Sequence, residues 1–553
     1  MNCRYITSFL FLINLQSLSL LGDITISNTN NKDEYQITNI SHLASAKRQI
    51  DNVIEKVPDG STILFSNGVY HIDGLHVTNK SLTFAGSGDK TILVSDHIGN
   101  HAIQFSGKGK SLTLKNLQLV YTGGWADASG ITDGVLVTPD ALQGKESMDS
   151  VFLDHVTFRD FYNAVYVLAP LRSLKVTNCN FLYTYGRAGV SNAPPYQHPA
   201  VAVLGSGTET IVSNCYFDGL MDSSFRGLKG NPPKSQRTPM DGLYKTGGGN
   251  PKFTSIDHNI LKNHGIEGII CERMNSAGSY TTRIKENKII GPSFKEHSFY
   301  GDYCPAIVVA NVQGAEITKN IVIGSPLGLD LIFTNSVESN ACMISNNTFS
   351  SVLCGARIKD GGSNTVFCDN QVFCSSEPAR SFATADIGWC ALVGVAASGD
   401  PIIRSNAFQS DQPFWDARTT LLSRAQNEFT VSSTNGIQPN RGVLISLSHK
   451  GLGYFPVGQI SNHKVTVAPE WAAAYPHATS GLLVYAQRLG NFTSLGAVCS
   501  FGKSSRVLVE GNRIEGFLQD VATSNGGVVI TKGNQVENVV SSPPASPFIQ
   551  RGE

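Results

Sequence analysis

Ile256-Asp257-His258-Asn259-Ile260-Leu261-Lys262-Asn263-His264-Gly265-Ile266-Glu267-Gly268-Ile269-Ile270-Cys271-Glu272-Arg273 holds two short apolar-alternating segments, one centred on Asn259 and one starting at Gly268. The turn between them carries His264 and Glu267. Alternation of period two is strand patterning, and Asn is disfavoured inside a strand, so Asn259 needs a structural reason. Repetition supplies one. The phrase apolar-x-x-(Asn, Cys or apolar)-x-apolar returns at 114–119, 153–158, 176–181, 212–217, 284–289, 317–322, 344–349, 403–408 and 509–514. Asn287, Asn320, Asn347, Asn406 and Asn512 take the middle position, and Asn370 and Asn534 are placed similarly. Stacked at a bend, each amide can bond the next coil's amide and backbone, as in an Asn ladder.

A second strand phrase follows in most coils: 134–137, 164–167, 200–203, 242–245, 268–271, 306–309, 328–331 and 355–358. With its Gly or Ala as position zero, +1 and +3 point inward while +2 and +4 point outward. Constant strand phrases at an irregular spacing of roughly 22 to 44 residues imply a solenoid with turns of variable length. A β-propeller, the second fold considered, needs four strands per blade and an aromatic period that the chain lacks.

Composition agrees with an all-β chain. Gly is frequent, at 54 of 553 residues, and 41% hydrophobic content is enough for a large core. Lys+Arg and Asp+Glu balance at 43 each, so no global field draws the chain to nucleic acid or an anionic membrane. Residues 1–22, with Arg4 before an apolar run from Phe9 to Leu21, read as a secretory signal peptide, shorter than the roughly 20 apolar residues of a membrane span. The expected location is therefore secreted, extracellular or periplasmic. The eleven cysteines lack zinc spacing and read mostly as buried thiols, a Cys179–Cys215 disulfide between neighbouring coils being the alternative.

Helical spacing of Leu43, Ala46, Ile50, Val53, Ile54 and Val57 predicts an N-terminal capping helix over 41–57. The solenoid is expected over 23–375 with its cap and again over 501–540. Residues 376–500 read as an irregular insertion or long-looped coils, and 541–553, with Pro543, Pro544 and Pro547, as a disordered tail.

Chemistry is expected at one corner. The turns at 182–199, 218–241 and 290–305 are long and would wall the strands that follow. They carry Arg226, His297 and Tyr300 among other aromatic and cationic residues, which suit stacking on sugar faces and pairing with anionic groups. Position −1 carries Asp133, Asn163, Pro199, Asp241, Glu267, Pro305, Leu327 and Cys354 in successive coils. Asp241 and Glu267 then stand on neighbouring coils, about 4.8 Å apart at Cα, near the separation at which paired carboxylates hydrolyse glycosides. Asp-Gly and Glu-Gly are also ordinary turn formers. His264 is the candidate catalytic histidine, and outward positions add Tyr244, Glu272, Asp330, Arg357 and Lys359 as substrate-binding candidates. No acidic cluster has Ca²⁺ or Zn²⁺ spacing.

The repeat pattern resembles the right-handed parallel β-helix of the pectin lyase-like superfamily over about residues 40–375 and again over 500–540. A partial similarity to polygalacturonase-type glycoside hydrolases rests on Met240-Asp241-Gly242, Asn263-His264-Gly265 and Gly355-Ala356-Arg357-Ile358-Lys359. That resemblance implies Asp241 as acid or nucleophile, with Arg357 and Lys359 on substrate. The chain has no Asp-Asp coil, and its His264 precedes Glu267 instead of standing at the corner.

The expected function is a glycoside hydrolase or transglycosylase acting on a glycan held along the solenoid. A polysaccharide lyase or uronate epimerase is the alternative, and a non-catalytic glycan-binding adhesin or spike is a third reading. No cofactor is expected for hydrolysis, Ca²⁺ only for a lyase. The expected partner is a polysaccharide or oligosaccharide; solenoids of this type can form a homotrimer, and the sequence leaves the oligomeric state open.

Overall fold

In the computed structural model, every coil from residue 60 to residue 537 lays its strands parallel to those of the next. Residues described are 22–27, 34–40, 43–72, 74–96, 101–122, 133–139, 147–161, 163–182, 185–187, 200–204, 209–219, 237–239, 243–247, 253–262, 264, 267–273, 281–291, 305–312, 314–325, 327–333, 341–375, 390–410, 415–437, 439, 442–446, 452–467, 469, 472, 480, 483–487, 496–502, 505–517, 519–524, 526–537 and 549–552. One coil shows the plan. Phe253–Asp257, Ile260–Lys262 and Ile269–Arg273 pair in parallel with Thr281–Lys285, Lys288–Ile290 and Pro305–Ala310 of the next. The first two strands of each coil belong to one 29-stranded sheet, sheet A, and the third to a 13-stranded sheet, sheet B. This is a right-handed parallel β-helix, the hand that parallel crossovers take.

A two-residue bend in sheet A explains the Asn phrase. The residue before it is left-handed: Asn178, Asn214, His258, Glu286, Lys319, Asn346, Asp369 and Ser405 have φ of 54–57°. That conformation is costly for residues such as Glu and Lys, and the ladder Asn offsets the cost. From Asn259 through Asn287, Asn320, Asn347, Asn370, Asn406 and Asn512 to Asn534, each Nδ2 donates to the next Oδ1 at 2.9–3.1 Å. The same Nδ2 donates to a carbonyl of the preceding coil, Asn320 to Ile284 at 2.8 Å, for example. Every ladder Oδ1 also receives the backbone N–H of the previous rung, beginning with Cys215 at 2.9 Å. Cys179 and Cys215, earlier in the same column, are buried free thiols, as the apolar reading of the cysteines expects.

The core runs down the helix axis. Phe158, Phe181 and Phe217 stack on consecutive coils with centroids 5.2 and 4.6 Å apart. The helix Leu43–Lys56 closes the N-terminal end against strands Gly68–His71 and Leu75–Thr78, burying Ile50, Val53 and Ile54. Lys80 Nζ donates to the Ile54 and Val57 carbonyls, each at 2.9 Å, and so neutralises the helix C-terminus. Two strands before it, Gly22–Ser27 and Glu34–Ile40, pair antiparallel, and Gly22–Ser27 pairs antiparallel with Ser61–Phe65. Of the proposed signal segment 1–22, residues 1–21 lie outside the described residues and Gly22 begins a strand.

Two expected boundaries shift. Within 376–500, strands Cys390–Val395, Ile402–Arg404 and Ala407–Ser410 make another regular coil. The insertion proper is a closed antiparallel barrel of Trp415–Ala425, Glu428–Val431, Lys464–Val467, Leu452–Ser461, Gly442–Ser446 and Leu483–Gln487, with its own core around Leu421, Phe429, Val443 and Val484. At the end of the chain, Ile549–Gly552 pairs in parallel with Val528–Lys532, so the expected disordered tail contains a strand.

Candidate functional site

The outer face of sheet B differs from that of sheet A. On sheet A, outward apolar side chains such as Ile260, Ile321 and Met343 are exposed. On sheet B, the +2 column is buried at Ala202, Ile270, Val308, Asp330 and Val393. Ile270, Val308 and Ala310, with Ile332 packed on them, form an apolar cluster separate from the axial core. The expected walls are partly visible beside it. Tyr185–Arg187, from the first long turn, pairs antiparallel with Arg237–Pro239, from the second.

Register on this face follows the expected columns. Leu243 faces Ile269, Ile270 faces Val308, Val308 faces Asp330 and Asp330 faces Arg357. Glu267, two residues before Ile269, is 5% exposed. Glu272, at +4, is half-buried, and that burial raises its carboxyl above the usual range. Asp241, Arg226, His297 and Tyr300 lie outside the described residues, and Tyr244 is described only as part of the strand Leu243–Gly247.

Two site candidates prove to be enclosed. The first, His264, is 1% exposed. Its Nε2 lies 3.1 Å from Ser325 Oγ, and its buried Nδ1 has no hydrogen-bond partner. Burial lowers its pKa to about 4, so the ring is neutral at pH 7. Ser325 belongs to a turn two coils away, and Gly291 of the intervening coil lies close against that turn. A Cβ there would stand 2.6 Å from the Gly324 carbonyl carbon. The second, Asp330, is outward in register yet fully buried, against the expectation that it faces substrate. Arg357 clamps it bidentately, Nε to Oδ1 at 2.8 Å and Nη2 to Oδ2 at 2.6 Å. The pair holds two coils of sheet B together, which commits both groups to each other. The Lys359 side chain is 41% exposed, its Nζ 3.9 Å from Asp360 Oδ2.

One polar group escaped the sequence reading. Ala102-Ile103-Gln104-Phe105 fits the second-strand phrase, which puts His101 at −1 beside Asp133 and Asn163. In the structure Asp133 pairs with Asn163 in register. Asn163 Nδ2 donates to Asp133 Oδ1 at 2.6 Å, and His101 Nδ1 lies 3.0 Å from Asp133 Oδ2. Tyr166, at +2 on the Asn163 strand, has its phenol pKa raised by burial and by the charge of Asp133. The usable signal is the corner column itself, in which Asp133 and Asn163 follow one another at −1. Among the described residues, no three His, Cys, Asp or Glu side chains converge as a metal set.

Solved structures similar to this chain include the A-module of an Azotobacter vinelandii mannuronan C-5 epimerase, 10% identical over 92% of this chain and 93% of that one, TM-score 0.28. A mutant tailspike protein of E. coli bacteriophage HK620, in complex with a pentasaccharide, is 12% identical over 81% and 87%, TM-score 0.37. A periplasmic alginate epimerase is 8% identical over 100% and 99%, TM-score 0.28. No family profile and no curated protein sequence matches the chain.

Proposed function

We propose that the chain is a polysaccharide-active enzyme that holds a glycan along the outer face of sheet B and hydrolyses or transfers it at the Asp241–Glu267 corner. The observation supporting this reading is Glu267, a carboxylate almost fully withdrawn from water, two residues before Ile269, which pairs with Leu243. Asp241 stands two residues before Leu243 in sequence. On adjacent rungs two carboxylates would disfavour each other's ionisation, as an acid–nucleophile or acid–base pair requires. Glu272, with its raised pKa, is protonated more readily than a solvated carboxyl and can donate to a sugar oxygen.

A panel of neutral and uronate polysaccharides, with products read by mass spectrometry and by ultraviolet absorbance, tests the reading. Hydrolysis adds water and leaves no ultraviolet-absorbing product. Glu267→Gln and Asp241→Asn should each lower kcat by about 100-fold or more. Full activity in both variants contradicts the assignment, an unsaturated uronate product replaces hydrolysis by elimination, and binding without turnover removes the enzyme reading.

A further inference from the structure

We propose that Cys354 and Cys390 are an oxidation site, closed as a disulfide between consecutive coils of sheet B when the chain folds in the presence of a small-molecule disulfide. The polysaccharide reading and this one do not depend on each other. Register carries the argument. Cys354 and Cys390 open the strands Cys354–Lys359 and Cys390–Val395 and are direct partners in their parallel pairing. In-register neighbours of a sheet lie about 4.8 Å apart, inside the roughly 4.4 to 6.8 Å that disulfide Cα pairs span. The side chains agree with the backbone. Both thiols are free and fully buried, and their Sγ atoms are 3.7 Å apart, so the remaining approach falls to side-chain rotation. Cys499, on the strand that pairs with Cys390–Val395 from the other side, stands within hydrogen-bonding reach of Cys390.

Thiols kept only as small apolar fillers account for this less well. Cys179 and Cys215 are also neighbours, yet each donates to a carbonyl two residues back at 3.2 Å. Cys390 differs in having a thiol on each side. Those two thiols, with burial, push its own pKa well above the ordinary value. A thiol so placed does not ionise in the folded chain, so the exchange belongs to folding, before the coils close. The thiolate of one cysteine attacks a small-molecule disulfide, such as oxidised glutathione, and expels one of its thiolates. The second cysteine attacks the resulting mixed disulfide, the Cys354–Cys390 bond forms and the second small thiol leaves. Two electrons pass to the small-molecule disulfide, and the two cysteine protons end on the thiols it releases. The position of the bond gives it a task. Cys390 begins the coil that ends at Ala407–Ser410, from which the chain runs into the barrel and returns at Gly496–Phe501. A bond to Cys354 ties that coil to the one before it. By joining positions 36 apart it also restricts the unfolded chain.

Refolding of the full chain tests the site. Chain reduced and unfolded in urea is refolded in a mixture of reduced and oxidised glutathione, and a control is held in urea in the same mixture. Remaining thiols are blocked with N-ethylmaleimide in urea, and the digested chain is mapped without reduction by mass spectrometry. The Cys354–Cys390 linkage should be about tenfold or more abundant in the refolded chain than in the control. Equal abundance, or maleimide on both residues of the refolded chain, overturns the proposal. A second measurement asks whether the bond staples the coil. The urea midpoint of the oxidised chain, read by far-ultraviolet circular dichroism, should exceed that of the same chain after reduction, and Cys354→Ala should remove the difference. No difference between the two forms, or one that Cys354→Ala leaves intact, overturns the proposal. If Cys354→Ala does not fold, the peptide map decides alone.

Discussion

His264 shows what a polar residue costs when the fold encloses it. Burial holds its pKa at about 4, against 6.5 in the unfolded chain. Above pH 6.5 both states are neutral and the group contributes no pH dependence. Between 6.5 and about 4 the unfolded chain binds a proton that the folded chain refuses, so stability falls as pH falls, by about 3 kcal/mol in total. Denaturant midpoints at pH 7.5 and 4.5 should show this loss in the native chain and a smaller one in His264→Gln; equal losses contradict the assignment. Glu272 has the opposite sign. Its folded pKa is raised, so its penalty is absent below the unfolded value and grows as pH rises through the folded one. Glu272→Gln should therefore be as stable as or more stable than the native chain at pH 8 and indistinguishable at pH 4, read by thermal unfolding, and a destabilised variant at pH 8 refutes the burial argument. Sequence put Glu267 at −1 and Glu272 at +4 of one strand phrase, and that strand pairs with its neighbours in the expected register. It could not foresee the His264–Ser325 contact or the Asp330–Arg357 clamp. Both join separate coils, and no periodicity within one coil carries that information.

The element that spends most on polar groups is the ladder. Asn320 accepts from the backbone and side-chain N–H groups of Asn287, each at 3.0 Å, and donates to Ile284 O and Asn347 Oδ1. Asn320→Ala strips buried partners on both sides and should cost about 2–4 kcal/mol. Asn534→Ala, at the half-buried last rung, should cost less than about 1 kcal/mol. Equal costs in urea titrations would show that the ladder is not cooperative along its length. The column was legible because an Asn in a strand contradicts propensity so plainly. Its companion, the left-handed residue just before it, was not legible, since Lys319, Glu286 and Ser405 give no sign of φ near 55°.

At the scale of the molecule, the barrel is a domain hung from an uninterrupted helix. Asn406 bonds Asn512 at 2.9 Å across the insertion, and Ala407 pairs with Arg513 as though the intervening residues were a turn. Replacing residues 411–495 with a linker the length of 375–389, which joins the same two positions one coil earlier, should leave the helix folded with its Tm within about 5 °C; collapse of the far-ultraviolet β signal would show the barrel to be part of the helix core. The sequence hid this boundary. The barrel strands carry the same alternation as the coils, and only the missing Asn phrase marks them.

Chemistry at the Glu267 corner is what the proposed function requires. The most direct measurement is product analysis by mass spectrometry of the native chain, Glu267→Gln and Asp241→Asn on the polysaccharide panel. Hydrolytic or transfer products from the native chain, reduced by about 100-fold or more in each variant, are the predicted result. Unchanged products from both variants, or no covalent change to any glycan by the native chain, would contradict it.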